Sequence, residues 1–487
     1  MISVAVVGSG FGGIGAVVRL KQAGVTDLVV FERGDDVGGV WRDNTYPGAA
    51  CDVPSHLYSF SFAPYAPWSR RFAPQAEIHA YLRRVAEDFG VLPHVRFGTE
   101  VVSAEYDEAG GRWRLAFAGG GTHECDVLVT ACGQLSRPAR PRIPGLADFA
   151  GTVFHSAQWD HGHDLRGERV AVIGTGASAI QFVPEIVDEV AALTVFQRSA
   201  PYVLKKGDRA YGPRTRAVLD RVPGAMRADR ARVFATNELR SLGFNTEPRL
   251  MKPFDLGFRR HLARQVADPG LRARLTPDYP IGCKRILVSN AWYPALVRPH
   301  VRVVTEEVVA VEAGAVRTAD GVRHEVDTLI LGTGFAATEL LAPMELRGVG
   351  GRSLSEAWAG GAQAYLGTFV SGFPNLVLLY GPNTNLGHNS IILMIESQLR
   401  LLVDAVRRLD SGEVTRLDVR PEVQARYNDW LQHRLGGTVF AGGCTSWYLT
   451  AGGRNTQNWP GSTIDFRRRL RRLDAEDFQP AREPLPA

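Results

Sequence analysis

The fold of this chain is decided by the stretch Ser3-Val-Ala-Val-Val-Gly8-Ser-Gly10-Phe11-Gly-Gly13. Its apolar first half predicts a buried parallel strand, and the apolar spacing after the glycines predicts a helix. Between them lies Gly-x-Gly-x-x-Gly, in which Gly8 permits a tight turn, Gly10 lets the backbone approach a pyrophosphate, and Gly13 allows the helix to pack closely on the strand. The free N–H groups at the start of the helix favour a phosphate. The stretch therefore predicts a dinucleotide-binding unit.

An acidic residue follows at the distance that such a unit requires. A second predicted strand, 28–31, ends at Glu32, which stands 24 residues after Gly8. A carboxylate at that offset accepts hydrogen bonds from an adenosine ribose. We expect Phe11 and Arg33 to contact the same nucleotide.

The pattern is repeated in the middle of the chain. A predicted strand, 169–173, runs into Gly174-Thr175-Gly176-Ala177-Ser178-Ala179, and a helix follows. Here the residue 24 positions after the first glycine is Arg198, followed by Ser199. A guanidinium grips a 2′-phosphate in a bidentate way, so the sequence predicts NADPH over NADH by roughly tenfold to a hundredfold. The alternative is a solvated surface arginine.

The two loops are connected by a segment that contains Phe149-Ala-Gly-Thr-Val-Phe-His155-Ser-Ala-Gln-Trp159-Asp160. A passive linker is rich in Gly, Ser or Pro. This segment has bulky residues that can pack, and its imidazole, amide and carboxylate can form hydrogen bonds in several directions. It therefore reads as a structured connection between two nucleotide sites, the alternative being a chance string in a linker.

The same segment matches the signature Phe-x-Gly-x-x-x-His-x-x-x-Trp-(Pro or Asp) at every defined position. On that ground the chain resembles the type I Baeyer–Villiger monooxygenases, flavoenzymes that turn ketones into esters or lactones. Four other stretches resemble the family as well, and the likeness covers about residues 4–466, being weakest in 205–279. These stretches are Gly38-Gly39-Val40-Trp41, Tyr46-Pro-Gly-Ala-Ala-Cys51-Asp52, Pro280-Ile-Gly-Cys-Lys284-Arg285 and Gly442-Gly-Cys-Thr-Ser-Trp447-Tyr448.

The resemblance implies FAD at the first loop and NADPH at the second. It implies that Asp52 and Arg285 are catalytic, that Lys284 joins Arg198 on the 2′-phosphate, and that Trp447 borders the nicotinamide ribose. Without it, an Asp before Val-Pro would be a turn or cap, a Lys-Arg pair would be surface charge, and the tryptophan would be a packing residue. Further expected cofactor contacts are Gly39, Val40, Trp41, Tyr58, Val102, Gln134, His155, Trp159 and Ile391.

The implied reaction uses a small ketone and dioxygen. NADPH reduces the FAD, a peroxyflavin intermediate attacks the ketone, and one oxygen atom is inserted beside the carbonyl. Arg285 would supply a positive charge that persists at neutral pH, and Asp52 would hold that guanidinium in place.

Three other functions remain open at this point. N- or S-oxygenating flavin monooxygenases share both loops, although their linkers lack the terminal Trp-Asp. An NADPH-dependent flavin reductase is a second alternative, and the absence of Cys-x-x-Cys argues against its disulfide-reducing form. A redox-sensing flavoprotein without turnover is the third.

The expected fold class is α/β, with two Rossmann-type domains for FAD and NADPH and a helical insertion in the NADPH domain. The first part of the FAD domain covers 1–140, and the linker that carries the signature covers 141–160. The NADPH domain covers 161–330 with its insertion at about 205–280, and the second part of the FAD domain with the C-terminal segment covers 331–487.

Composition limits the class of protein. The 487 residues are 45% hydrophobic and 22% charged, with a net charge of +5, as in a globular protein that binds two anionic cofactors and no nucleic acid. The apolar start ends in glycines, so we expect neither a secretory signal nor a transmembrane segment. Five widely spaced cysteines argue against a disulfide framework and a zinc site, and favour the reducing cytoplasm. Oligomeric state leaves no signature in the sequence.

Overall fold

The first sheet is built around the opening strand of the chain. The computed structural model describes residues 2–479, so the last eight residues of the predicted C-terminal segment lie outside the described part. The α/β class is confirmed. All neighbouring strands in this sheet are parallel, and their burial explains why the opening stretch is continuously apolar. The five strands, in spatial order, are Leu376–Leu378, Val127–Thr130, Val4–Val7, Leu28–Phe31 and Val95–Arg96.

The helix Phe11–Gln22 follows the first glycine loop and buries its apolar side. It packs against the long helix Ile391–Asp410, which comes from the C-terminal half of the chain. A Cβ atom on Gly15 would come within 2.7 Å of Leu399, so a glycine is what allows the two helices to approach so closely. Residues from both ends of the chain thus form one nucleotide-binding unit.

A second parallel sheet surrounds the second glycine loop, and it includes part of the predicted linker 141–160. Residues 152–155 form an edge strand of this sheet, paired with 328–331. The run Thr-Val-Phe-His is rich in β-branched and aromatic residues, which suit a strand. The partner strand is distant in sequence, so the pairing was not foreseen. The spatial order is Val301–Val304, Ala192–Phe196, Arg169–Ile173, Thr328–Leu331 and Thr152–His155.

Three smaller sheets complete the strands. The four-stranded one packs on the first large sheet, and the three-stranded one packs on the second. The two-stranded one pairs the chain on either side of the insertion. The four-stranded sheet contains Glu345–Arg347, Val101–Asp107, Arg112–Phe117 and Thr122–Cys125. The three-stranded sheet contains Val308–Glu312, Ala315–Thr318 and Arg323–Glu325. The two-stranded sheet pairs Val203–Leu204 with Leu287–Val288.

The predicted helical insertion is confirmed. It also contacts the first unit, because His56 Nδ1 lies 2.8 Å from an Asp229 carboxylate oxygen and Arg230 donates a hydrogen bond of 2.7 Å to the Ser59 hydroxyl. The insertion therefore contacts both nucleotide-binding units. Its helices are Pro213–Arg221, Ala225–Asn245, Lys252–Gln265 and Pro269–Arg274.

The remaining helices lie mostly around the first sheet. One of them spans Gln75–Asp88. Across residues 2–479, every helix is too short or too polar to cross a membrane, and no cluster of His, Cys, Asp and Glu has the arrangement to hold a metal ion. The other helices are Val40–Asp43, Ala179–Ile186, Trp292–Leu296, Leu354–Ala357, Pro421–Leu435 and Thr463–Arg469.

One pair of cysteines departs from the sequence analysis, which argued against a disulfide framework. Cys283 and Cys444 are joined by a disulfide across a sequence separation of 161 residues. Cys51, Cys125 and Cys132 are free thiols. Since the two bonded cysteines meet only in the folded chain, their spacing in sequence carried no signal.

Candidate active site

A single cavity of about 1530 Å³ receives both glycine loops. The first loop enters after the strand 4–7 and the second after the strand 169–173, each at the carboxyl end of its parallel sheet. Ligands of open parallel sheets bind at that edge. The two nucleotide sites predicted from separate motifs therefore open into one space.

The two loops have the same local geometry. Gly8 has φ +100° and Gly174 has φ +106°, in the left-handed region that favours glycine. A Cβ atom on Gly13 would lie 1.9 Å from the Gly8 carbonyl oxygen, so only glycine allows that turn to close. At Gly176, by contrast, a Cβ atom would meet no described atom within 4 Å. The first turn is thus tightly closed at Gly13, and the second leaves open space at Gly176, where a pyrophosphate could approach the backbone.

Glu32 lies at the cavity wall in a dense set of hydrogen bonds. Its carboxylate accepts from the Ser9 N–H at 2.9 Å, the Ser9 hydroxyl at 2.7 Å, the Gly34 N–H at 2.9 Å and Arg42 at 2.9 Å. Burial raises the pKa of Glu32, and the donors of Gly34, Ser9 and Arg42 more than offset it, so the pKa lies below its usual range. The group is a fixed anionic acceptor. Arg42 was not predicted, because the glycine motif does not specify a partner for the acid.

Aromatic and amide groups continue the first unit's side of the cavity. The indole N–H of Trp41 lies 3.1 Å from the Tyr58 hydroxyl, and Phe11 meets the Tyr58 ring edge-on at 5.3 Å. The Gln134 amide nitrogen donates to the carbonyl oxygen of Tyr380 at 3.1 Å. Its amide oxygen is buried without a partner among the described residues, which leaves an acceptor for a ligand donor.

The cavity contains one close ion pair between segments that are distant in sequence. Arg285 Nε donates to Asp52 Oδ2 at 3.0 Å, and a second guanidinium nitrogen contacts the same oxygen. Their side chains are about one-third exposed, at 33% for Arg285 and 32% for Asp52, and both line the cavity. Burial raises the pKa of Asp52, but Arg285 more than offsets it and leaves the pKa below its usual value. Asp52 likewise raises the pKa of Arg285, so both groups stay charged.

Three groups near this pair were missed by sequence analysis. Lys206 is a second cation that acts on Asp52, and burial lowers the pKa of Lys206. The Tyr380 hydroxyl donates to Asn385 at 3.2 Å. Burial raises the pKa of Tyr448 to about 12, so its phenol stays protonated. Tyr448 ends the family stretch 442–448, but no local pattern assigns a role to any of the three, and only folding brings them to Asp52 and Arg285.

The second nucleotide loop faces a basic cluster. The Lys284 ammonium lies 2.8 Å from the Ser199 hydroxyl and 4.5 Å from the centre of the Tyr279 ring. Arg198 is exposed, and it lines the cavity together with Ser199 and Lys284. Burial, and then repulsion from Arg198, lowers the pKa of Lys284. Two cations that line the same cavity and repel each other fit a dianionic phosphate.

Most of the residues expected to contact cofactors line the cavity, but four do not. Gly13 and Ala179 lie behind the loops. His155 is buried, accepts a hydrogen bond of 3.0 Å from the Ala157 N–H, and packs towards Phe335. Lining the cavity is not yet contact, so contact with a cofactor stays a prediction for these four residues and for the others. Trp159, the fourth, packs on Phe154 and Phe182. The expected residues that line the cavity are Gly8, Gly10, Phe11, Glu32, Arg33, Gly39, Val40, Trp41, Asp52, Tyr58, Val102, Gln134, Gly174, Thr175, Gly176, Ala177, Ser178, Arg198, Ser199, Lys284, Arg285, Ile391 and Trp447.

Comparison with known proteins identifies the family. A family model described as flavin-binding monooxygenase-like matches residues 2–234. A Baeyer–Villiger monooxygenase of Streptomyces coelicolor is 49% identical over 100% of this chain and 94% of its own length. The chain belongs to the Baeyer–Villiger monooxygenase family.

Solved structures agree with this assignment. An oxidised steroid monooxygenase bound to NADP is 33% identical, with a TM-score of 0.86 over 96% of this chain and 97% of its own. The OTEMO complex with FAD and NADP is 25% identical, with a TM-score of 0.88 over 96% of this chain and 97% of its own. The chain is thus an FAD- and NADPH-dependent Baeyer–Villiger monooxygenase, of the class that inserts one oxygen atom of dioxygen beside a ketone carbonyl to give an ester or lactone.

Proposed function

We propose that Arg285 and Asp52 form the catalytic centre of this monooxygenase. The observation that carries the proposal is their ion pair inside the cavity shared by both glycine loops. When bound, FAD accepts hydride from NADPH and activates dioxygen for insertion into the ketone. The positive charge beside the reacting oxygen and the orientation of that charge must come from the side chains that surround the flavin.

The role proposed for Arg285 is a fixed positive charge beside the reacting oxygen. Its pKa is raised by Asp52, so the charge persists at neutral pH and well above it. A pre-oriented charge in a site with little water stabilises developing negative charge strongly. Asp52 acts as the positioning partner, because its carboxylate oxygen receives two guanidinium nitrogens and so restricts the orientation of Arg285.

The proposed binding site for the 2′-phosphate of NADPH is formed by Arg198 and Lys284. Both line the cavity on the side of the second loop, and the Ser199 hydroxyl orients the Lys284 ammonium. An ammonium and a guanidinium suit a phosphate and gain nothing from the 2′-hydroxyl of NADH. This cluster therefore makes the 2′-phosphate the group by which the protein distinguishes the two cofactors.

The proposed substrate is a small ketone that enters beside Arg285. The cavity wall includes the apolar side chains Leu386, Ile391 and Ile395, together with the Tyr380 phenol, which acts electrostatically on Arg285. An apolar wall with a few polar groups is typical of a pocket for a small organic molecule. We also propose that the two nucleotide-binding units keep the bounds expected from the sequence, apart from the strand 152–155, which pairs in the second sheet.

A cytoplasmic location is the last part of the proposal. NADPH consumption supports it, whereas the pair Cys283–Cys444 argues against a strongly reducing compartment. Cell fractionation with an antibody to the protein would decide between them.

The catalytic assignment is tested with Arg285→Ala. We expect this variant to keep bound FAD and to oxidise NADPH, but to release hydrogen peroxide in place of ester. Arg221→Ala, an exposed arginine on the insertion, is the matched control for loss of charge. Ester formation by Arg285→Ala at a near-native rate would refute the role of Arg285.

A further inference from the structure

The disulfide Cys283–Cys444 joins two segments that both border the cavity. Cys283 immediately precedes Lys284 and Arg285, and Cys444 stands three residues before Trp447. The two Cα atoms lie 6.2 Å apart, within the span that a disulfide bridges. The bond therefore ties the Trp447 segment directly to the segment that carries the two cations.

The packing around the disulfide shows that the Trp447 segment is anchored through it. Among residues 441–447 only Cys444 is buried, while Trp447 is 36% exposed. The Cys444 N–H also donates to the Cys283 sulfur at 3.3 Å. A Cβ atom on Gly442 would lie 3.4 Å from the same sulfur, so the two segments are already in close contact there. Cys444 is thus the buried anchor of an otherwise exposed stretch of cavity wall.

We propose that the Cys283–Cys444 disulfide is a positioning device for NADPH binding. It holds Trp447 at the edge of the cavity that Lys284 and Arg285 also line, so the cofactor meets a wall that is already ordered. A pre-ordered wall loses less conformational freedom when a ligand binds, and affinity is higher as a result. The proposal rests on the assignment of this end of the cavity to NADPH.

The bond also makes cofactor affinity depend on the thiol redox state. Two thiols lose two electrons and two protons to hydrogen peroxide, which gives the disulfide and two molecules of water. In the opposite direction, a phosphine takes an oxygen atom from water and becomes a phosphine oxide, while the two sulfurs regain their protons as thiols. Reduction leaves the chain intact and releases the Trp447 segment from its anchor.

The test compares Cys283→Ala and Cys444→Ala with Cys125→Ala, which removes a buried thiol that does not line the cavity. We expect each of the first two variants to raise the Kd for NADP⁺ about three- to tenfold, measured by calorimetry without turnover. The KM for NADPH should rise by a similar factor, and kcat should change less. A phosphine reductant should produce the same shift in the unaltered protein and no further shift in either variant.

Three results would overturn the proposal. These are unchanged NADP⁺ affinity in both cysteine variants, an equal effect of the phosphine on a variant and on the unaltered protein, and the absence of a Cys283–Cys444 linked peptide in the unreduced protein. If a variant fails to fold, phosphine treatment of the unaltered protein still gives the answer. Arg198→Ala is measured alongside: if it leaves NADP⁺ affinity unchanged, the nucleotide assignment fails, and not the disulfide proposal alone.

Discussion

Replacement of Arg198 by alanine should convert a cofactor preference into a near-equal use of NADPH and NADH. A charge-assisted hydrogen bond contributes about 1.5–3 kcal/mol. Arg198 is exposed, so solvent screening reduces its share to about 1–2 kcal/mol, and Lys284 remains as a second cation. At a factor of ten for each 1.4 kcal/mol, the KM for NADPH should rise roughly 5- to 30-fold. The KM for NADH, which has no 2′-phosphate, should stay within about twofold.

The assay is steady-state oxidation of each cofactor at fixed ketone, repeated at two salt concentrations. Since the lost interaction is between charges, the ratio of the two KM values should be less sensitive to salt in the variant. Arg221→Ala serves as the control, because it removes a charge from the exposed end of a helix in the insertion. Equal changes in both KM values, or no change in either, would refute the assignment of Arg198 to the 2′-phosphate.

Three further predictions follow from particular contacts. Because the pKa of Lys284 is lowered, its charge is lost at a lower pH than that of an ordinary lysine. The KM for NADPH should therefore rise at alkaline pH while the KM for NADH stays constant, and Lys284→Arg should remove that rise. Gly13→Ala should purify without FAD, because the new Cβ atom would lie 1.9 Å from the Gly8 carbonyl oxygen, whereas Gly119→Ala, with no described atom within 4 Å, should keep its flavin absorbance. Burial lowers the pKa of His388 to about 4, so the unfolded chain binds this proton first as the pH falls below about 6.5; the free energy of unfolding, measured with denaturant, should therefore fall towards pH 4 more steeply than in His388→Gln.

Features that depend on local rules could be predicted from the sequence. The positive φ angles of Gly8 and Gly174 and the strand–turn–helix order follow from a few adjacent residues, so both nucleotide loops were recognised without a structure. The acidic and basic residues at the same offset were also recognised, because the offset is set by the length of the helix and the next strand.

Features that depend on distant partners could not be predicted. The strand 152–155 pairs with residues 328–331, and its partner is invisible in the linker sequence. The disulfide between Cys283 and Cys444 closes 161 residues of chain. Arg42 and Lys206 act on Glu32 and Asp52 only after the chain has folded. The resemblance to the family supplied the pair Asp52 and Arg285, whose members lie in separate segments that no local pattern would have joined.

The most direct test of the account is an isotope measurement. The flavin-loaded protein is given NADPH and ¹⁸O₂ with a panel of cyclic ketones and one thioether, and the products are analysed by mass spectrometry beside those of Arg285→Ala. The account predicts a lactone that carries one ¹⁸O atom, formed in proportion to the NADPH consumed, and its loss in the variant. A labelled sulfoxide without any lactone, or NADPH consumption that yields only hydrogen peroxide with every ketone, would contradict it.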